Sequence, residues 1–356
     1  MRTAVGLLTL AAFLAVSRPA WAQVPSLTLK TSLVFYGDDT EFSNPFRTGE
    51  TIVGTYGVAF LEVGLNDRFA IRAGGFGNFR FGSSEPIDQG RPVLALVAGG
   101  PRSYFVLGTL ETMRHLKGDG PDRTGPHGLL PPMQRETLAF DRAHEAGMQW
   151  IVETPRYSHD GWINWQRLNS RHHREVFDVG FASLTRLRPE FAIRGDIHAV
   201  HSGGQQGGDE PVADSVAAAA GVEAGAPIGR VKRLSLELMA LGSRTVFDRT
   251  QPDLTRGGFA TFLRFAADWE LWRVHLILWR ANGFVKVEGD PLYQAIRHDG
   301  SRYNGIRDYA ETGVTRRFKL APNTVIETSL RFHRTEDNYE FSFRVLGVAN
   351  LDWKLK

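Results

Sequence analysis

Tyr339-Glu340-Phe341-Ser342-Phe343-Arg344-Val345-Leu346-Gly347-Val348-Ala349-Asn350-Leu351-Asp352-Trp353-Lys354-Leu355-Lys356 is written in a rhythm of two. Tyr339, Phe341, Phe343, Val345, Gly347, Ala349, Leu351, Trp353 and Leu355 fall on one face of an extended strand, and Glu340, Ser342, Arg344, Asn350, Asp352, Lys354 and Lys356 on the other. A strand this long, apolar along one side to its end, needs either a second sheet or lipid to cover that side. The rest of the chain decides between the two, because the same rhythm runs back to about Leu27.

Period-two segments bounded by Gly, Pro, Asn and Asp clusters predict about sixteen strands. They lie near 26–36, 50–65, 68–82, 91–98, 102–112, 146–153, 157–167, 174–185, 190–201, 214–225, 231–242, 258–270, 272–282, 305–318, 323–334 and 338–354. The joints after even-numbered segments are tight, as at Asn66-Asp67, Gly99-Gly100-Pro101, Arg188-Pro189 and Ala321-Pro322-Asn323. Those after odd-numbered segments are mostly longer and polar, such as 37–49, 202–214, 243–257 and 283–304, with the longest from about Met113 to Glu145. Brief joints near Ser170 and Glu336 are the exceptions. Short turns alternating with long loops are what an up-and-down barrel crossing a membrane produces, and a soluble sandwich has no reason to sort its connections so.

Strand faces agree. Phe259, Thr261, Leu263, Phe265, Ala267 and Trp269 oppose Arg264, Asp268 and Glu270; Ile326, Leu330 and Phe332 oppose Glu327, Ser329, Arg331 and His333. Alternation alone does not say which face is inside. Strand number does: a barrel of about sixteen strands is too wide to fill with its own side chains, so its interior is expected to hold water and its charged faces to point inward.

The N-terminus carries Arg2, an apolar run from Ala4 to Val16, Pro19, and Ala20-Trp21-Ala22 before Gln23, the pattern of a cleaved secretory signal peptide over residues 1–22. The expected division is therefore a signal peptide, 1–22, and one barrel domain, 23–356. The absence of cysteine excludes disulfides, thiolate metal sites and cysteine nucleophiles. With 42 basic and 39 acidic residues the net charge is +3, which gives no electrostatic case for nucleic acid. Beyond residue 22 no apolar run reaches the length of a membrane helix, so any span is made of strands.

Taken together, these features resemble the bacterial outer-membrane β-barrels of the porin type, across essentially the whole of residues 23–356. The likeness is one of architecture and not of a motif, and the chain departs from many porins by placing its last aromatic, Trp353, three residues before the end. The resemblance implies an all-β transmembrane up-and-down antiparallel barrel in the outer membrane of a Gram-negative bacterium. It also implies no cofactor, passive diffusion of small polar solutes, and partners limited to outer-membrane lipid, the barrel-assembly machinery and the solutes or saccharides that pass; a homo-oligomer is left open. In such porins the third outer loop folds into the lumen, and here 113–145 holds that place with Arg114, Arg123, Arg135 and Glu136 among its charges.

Residues assigned to the lumen or its constriction are Arg72, Arg80, Glu111, Arg114, Arg123, Arg135, Glu136, Trp162, Asn164, Gln166, Arg194, Asp196, Arg264, Trp279, Glu327 and Arg331. Among the wall residues read as inward, Arg72, Arg80, Arg194, Arg264, Arg273, Arg307, Arg331 and Arg344 are opposed by Glu62, Glu111, Glu153, Asp178, Asp196, Glu237, Asp268, Glu311 and Glu327, and this near balance of sign argues against strong ion selectivity. Phe76, Phe105, Trp162 and Trp279 are read as inward aromatics, and Trp162-Ile163-Asn164-Trp165-Gln166 as a sugar-stacking patch, which keeps polysaccharide export or glycan binding as the alternative function. Catalysis is not expected. His201-Ser202 and His172-His173 are adjacent pairs whose side chains point to opposite faces, and no serine can be assigned to His198 or His275. No metal-ligand spacing is present.

Overall fold

The computed structural model describes residues 26–113, 125–208 and 211–356; the signal-peptide expectation lies outside the described residues. Sixteen strands run in chain order: β1 (Ser26–Ser43), β2 (Thr48–Asn66), β3 (Phe69–Arg80), β4 (Gln89–Gly100), β5 (Ser103–Thr109), β6 (Ala146–Glu153), β7 (Tyr157–Arg167) and β8 (Arg174–Arg188), followed by β9 (Phe191–Gln205), β10 (Ala213–Ile228), β11 (Val231–Val246), β12 (Thr255–Asp268), β13 (Trp272–Asn282), β14 (Ile306–Ala321), β15 (Thr324–Thr335) and β16 (Asn338–Lys354). Each pairs antiparallel with its chain neighbours, and β1 pairs with β16 from Thr28↔Lys354 to Glu41↔Phe341, closing the barrel. Closure gives every strand a paired neighbour on each side, as hydrocarbon surroundings favour.

Connections 67–68, 101–102, 154–156, 189–190, 229–230, 269–271 and 322–323 gather at one end. The long ones gather at the other, which is therefore the outer end. Its first, third and seventh connections, L1 (44–47), L3 (110–145) and L7 (283–305), matter below. L1 is far shorter than the 37–49 joint read from sequence, because the alternation continues through Asp38 and Thr40: Asp38 pairs in register with Arg344 and with Ile52.

Along every wall the apolar face looks outward. Leu33, Leu94, Ile197, Leu278 and Phe343 are exposed there, the band that lipid covers. Phe105 belongs to this face and not to the lumen. It is 50% exposed and stacked on Trp150 at 5.6 Å, while its neighbour Val106 is buried, so β5 is registered one residue away from the sequence assignment.

Candidate functional site

The interior is not simply wet. Chain from L3 and L7 enters the lumen, and Leu129, Leu130, Met133 and Phe140 of L3 and Phe284 and Tyr293 of L7 are almost wholly buried. All but Phe140 pack with inward Trp162, Met239, Phe262, Ile277 and Trp279 as one apolar cluster, and Phe140 joins a second with Tyr36, Tyr56 and Phe76. A sixteen-strand barrel is too wide for wall side chains alone to fill, but two inserted loops supply the missing volume. A stretch of wall that would be polar in an open pore is accordingly apolar.

The loops hold one another. Arg135 N–H donates to the Glu288 carbonyl at 2.8 Å and Asp290 N–H to the Pro131 carbonyl at 2.9 Å. Arg47 of L1 reaches Asp290 at 2.7 Å, and the buried Arg307 guanidinium caps L7 carbonyls at Leu292 (2.7 Å) and Gln294 (3.1 Å) while lying 3.4 Å over the Phe46 ring. Lys286 of L7 is fully buried and anchored to Glu288 and to the carbonyl and hydroxyl of Ser215 on β10. Sequence reading left L7 among the polar outer loops; Phe284, Val285, Leu292 and Tyr293 were the signal that it turns inward.

In the outer half of the lumen, on the inward face of β14 to β16, four side chains form a connected row, and His275 of β13 meets its end. The Ser342 hydroxyl lies 2.8 Å from His333 Nε2. His333 Nδ1 lies 2.7 Å from the Tyr309 hydroxyl, which in turn donates to Glu311 Oε2 at 2.8 Å. Glu311 Oε1 meets His275 Nε2 at 2.8 Å. Register explains the row: Glu311 is directly opposite His333 across β14–β15, and Arg331 directly opposite Ser342 across β15–β16. Phe42 packs edge-on against the His333 ring at 4.8 Å. The row borders a cavity of about 30 Å³, room for a water, roofed by Pro131 and Glu136 of L3 and Asp290, Leu292 and Tyr293 of L7. Two guanidiniums face the same cavity. Arg331 and Arg344 both grip Glu136, at 2.9 and 2.7 Å, and Arg344 also donates to Asp38 at 2.5 Å. Burial alone would push the Glu136 carboxyl up, but these two cations hold it well below the usual carboxylate range.

A second histidine site pins L3 to β7. His127 Nδ1 lies 2.9 Å from Asp160 and Nε2 3.0 Å from Glu145, and its ring stacks on Trp162 with centroids 3.7 Å apart. His127 sits at φ +54°, in the left-handed region that side chains rarely adopt. Burial opposes its charge, yet the two carboxylates raise it to about 10, so the ring is a fixed imidazolium. Trp162 itself donates to Asp178 at 2.8 Å, and Gly180 leaves the space its ring occupies.

The residues assigned to the lumen from sequence divide between these sites and simple pairing. Arg72 bonds Glu62 (2.7 Å) and Glu111 (2.5 Å); Arg80 and Arg135 both reach Asp141, in the single helical turn α1 (Leu138–Asp141) of L3. Arg194 holds Asp196 at 2.8 Å and the Gly128 carbonyl of L3 at 2.9 Å. Arg264 lies 3.6 Å from Glu237, and Arg317 takes Glu327 at 2.6 Å. Asn164 and Gln166 both donate to Asp178 (2.8 and 2.7 Å). Trp162 is covered by His127, and Trp279 by Phe284 and Tyr293, so neither offers a free face to a sugar. Arg114 and Arg123 lie outside the described residues. Ser342 and Tyr309 are not among the residues expected at a site, and Glu311 is read from sequence only as an inward wall carboxylate. Their signal was available, since a tight hairpin at 336–337 brings inward residues of β15 and β16 together.

A closed antiparallel barrel with an apolar girdle, its lumen holding inserted loops and a hydroxyl–imidazole–carboxylate row, defines a porin-like outer-membrane barrel with a built internal site. The family described as lipid A 3'-O-deacylase-type matches residues 21–356, and the chain belongs to that family. This overturns the expectation of a barrel without catalysis, because the family is one of enzymes. The sequence reading weighs His201-Ser202, His172-His173, His198 and His275, and not His333. No curated protein sequence matches significantly. Among solved structures, the L8-deletion mutant of OmpT from Vibrio cholerae is similar at a TM-score of 0.56 and 9% identity, covering 92% of this chain and 100% of that one. The trimer form of OmpT matches at 0.55 and 8% (92% and 100% covered), and OccK8 (OprE) of Pseudomonas aeruginosa at 0.53 and 10% (92% and 98% covered). At such identities the likeness is one of fold: a bacterial outer-membrane barrel.

Proposed function

We propose that this barrel hydrolyses an acyl ester of a lipid A-type glycolipid, releasing a 3'-O-linked fatty acid in the outer membrane. The observation that carries the reading is the family match along residues 21–356. The geometry supports it in two ways. Ester hydrolysis needs a group that accepts a proton beside a nucleophile, and the His333–Ser342 row has both. The row also lies in the outer half of the barrel, at the level of the leaflet where lipid A resides. The test is mass spectrometry of lipid A from cells expressing the chain in a host without such activity. The expected product is lipid A lighter by one acyl chain; unchanged lipid A, in cells and in mixed micelles with the folded barrel, overturns the reading.

A second reading, passive diffusion of small polar solutes, is favoured by the many charged residues of the inner wall and by the porin-like fold. It requires L3 and L7 to leave the lumen. Planar-bilayer conductance tests it: steady steps reduced by small neutral sugars support it, and silence from inserted barrels rejects it.

A further inference from the structure

We propose that Ser342 is the nucleophile of this hydrolysis and His333 its general base, a proposal that rests on the deacylase reading and names the machinery within it. Among the described residues Ser342 carries the one serine or threonine hydroxyl within hydrogen-bond distance of a histidine ring, at 2.8 Å from Nε2. The far side of the ring fixes which nitrogen is free. With Tyr309 donating to Glu311, its oxygen accepts from His333 Nδ1–H, which leaves Nε2 as the lone-pair nitrogen facing Ser342. The row ends on a carboxylate 3.7 Å from Nδ1, placed to stabilise the imidazolium that forms.

The steps balance without a co-reactant other than water. Ser342 Oγ attacks the ester carbonyl carbon as its proton passes to His333 Nε2. The carbonyl oxygen becomes negative in a cavity that Arg331 and Arg344 face. The carbonyl carbon's bond to the sugar oxygen then breaks, the imidazolium protonates that oxygen, and the acyl group remains on Ser342. Water, deprotonated by His333, attacks the acyl carbon; Ser342 Oγ leaves and recovers the proton. One ester and one water become one fatty acid and one alcohol. The closed cavity admits a water and not an ester, so the arch of L7 over the row, Asp290 to Tyr293, must lift for substrate to enter.

The test treats the detergent-solubilised full barrel with a fluorophosphonate, which phosphonylates activated serines, and locates the adduct by peptide mass, alongside lipid A deacylation in mixed micelles. The wild type is expected to label at Ser342. Ser342→Ala should lose the label and deacylate more slowly by on the order of 10⁴-fold or more, while keeping the heat-modifiable gel mobility of a folded barrel. Ser342→Cys, the sole thiol in the chain, should be alkylated by iodoacetamide faster than the same variant carrying His333→Ala. Wild-type deacylation by folded Ser342→Ala overturns the nucleophile and leaves the deacylase reading standing. A label at Ser342 with lipid A untouched overturns the substrate and keeps the nucleophile. Neither label nor deacylation from a folded barrel overturns both.

Discussion

His127 and His333 are both buried in one lumen, yet their surroundings assign them opposite work. His127 has a carboxylate at each ring nitrogen, 2.9 and 3.0 Å away, and a tryptophan face beneath it. Both nitrogens must donate, so the ring is permanently charged and can neither take nor give a proton near neutral pH. His333 faces two hydroxyls instead, at 2.7 and 2.8 Å, one of which can receive its N–H while the other lends it a proton. A buried histidine beside a carboxylate is thus no mark of catalysis; what matters is whether one nitrogen is left to accept. In this barrel one histidine fastens a loop and the other stands ready to act beneath it.

Exchanging the two losses gives the largest expected effect. His333→Ala should lower deacylation by about 10²–10⁴-fold, the usual worth of a general base, and leave L3 as resistant to added protease as in the wild type. His127→Ala should do the reverse in kind. It leaves Glu145 and Asp160 facing each other without their cation, and breaking a buried pair costs about 3–5 kcal/mol, here charged to the seating of L3. Faster cleavage within L3, or bilayer conductance absent from the wild type, would register it. The pH dependence follows from the raised value of His127, about 10 against 6.5 for the free group. A raised histidine contributes its full stabilisation below 6.5 and loses it as pH rises through about 10. Protection of L3 should therefore be greatest below about pH 6.5, decline as pH rises beyond it, and be lost by about pH 10. A deacylation loss in His127→Ala with L3 still protected would cancel the contrast.

Next in size is the effect of fastening the roof. Because the chain has no cysteine, Pro131→Cys with Asp290→Cys introduces the only pair, at positions whose backbones already share a 2.9 Å hydrogen bond between L3 and L7. Oxidised, the tether should cut deacylation by at least about tenfold, since lid opening gates entry; reductant should restore it to the level of the reduced double variant. Equal rates in both redox states would show that substrate reaches Ser342 by another way.

Much of the frame was legible in the sequence because strands and turns are local. The rhythm from Tyr339 to Leu355 and the tight joints at 67–68 or 189–190 need no distant partner to be read. What was lost lay between strands. The row from Ser342 to Glu311 spans thirty-one chain positions and three strands, and it emerges only once register sets Glu311 opposite His333. A one-residue slip would put these side chains in lipid, as the misassignment of Phe105 illustrates. The filled lumen was likewise illegible from strand count, which gives a diameter but not what two loops do inside it. L7 looks polar by composition, yet Phe284 and Tyr293 find partners in Trp279 and Phe262 on the inner wall.

The smallest effect discriminates most finely within the row. Tyr309→Phe keeps the ring that packs against Tyr293 at 4.8 Å and removes only the hydroxyl between His333 and Glu311. If the hydroxyl merely orients His333 and passes on the influence of the carboxylate, its loss is partly made good, because Glu311 Oε2 already lies 3.7 Å from Nδ1 and a small shift joins them directly. The expected fall in kcat is about tenfold, or about 1.4 kcal/mol, with KM unchanged. The pH at which activity rises should also move, since the ring then answers to a charge in place of a neutral hydroxyl. A fall as deep as that of His333→Ala would instead make Tyr309 a reacting group and displace the imidazole from the centre of the comparison.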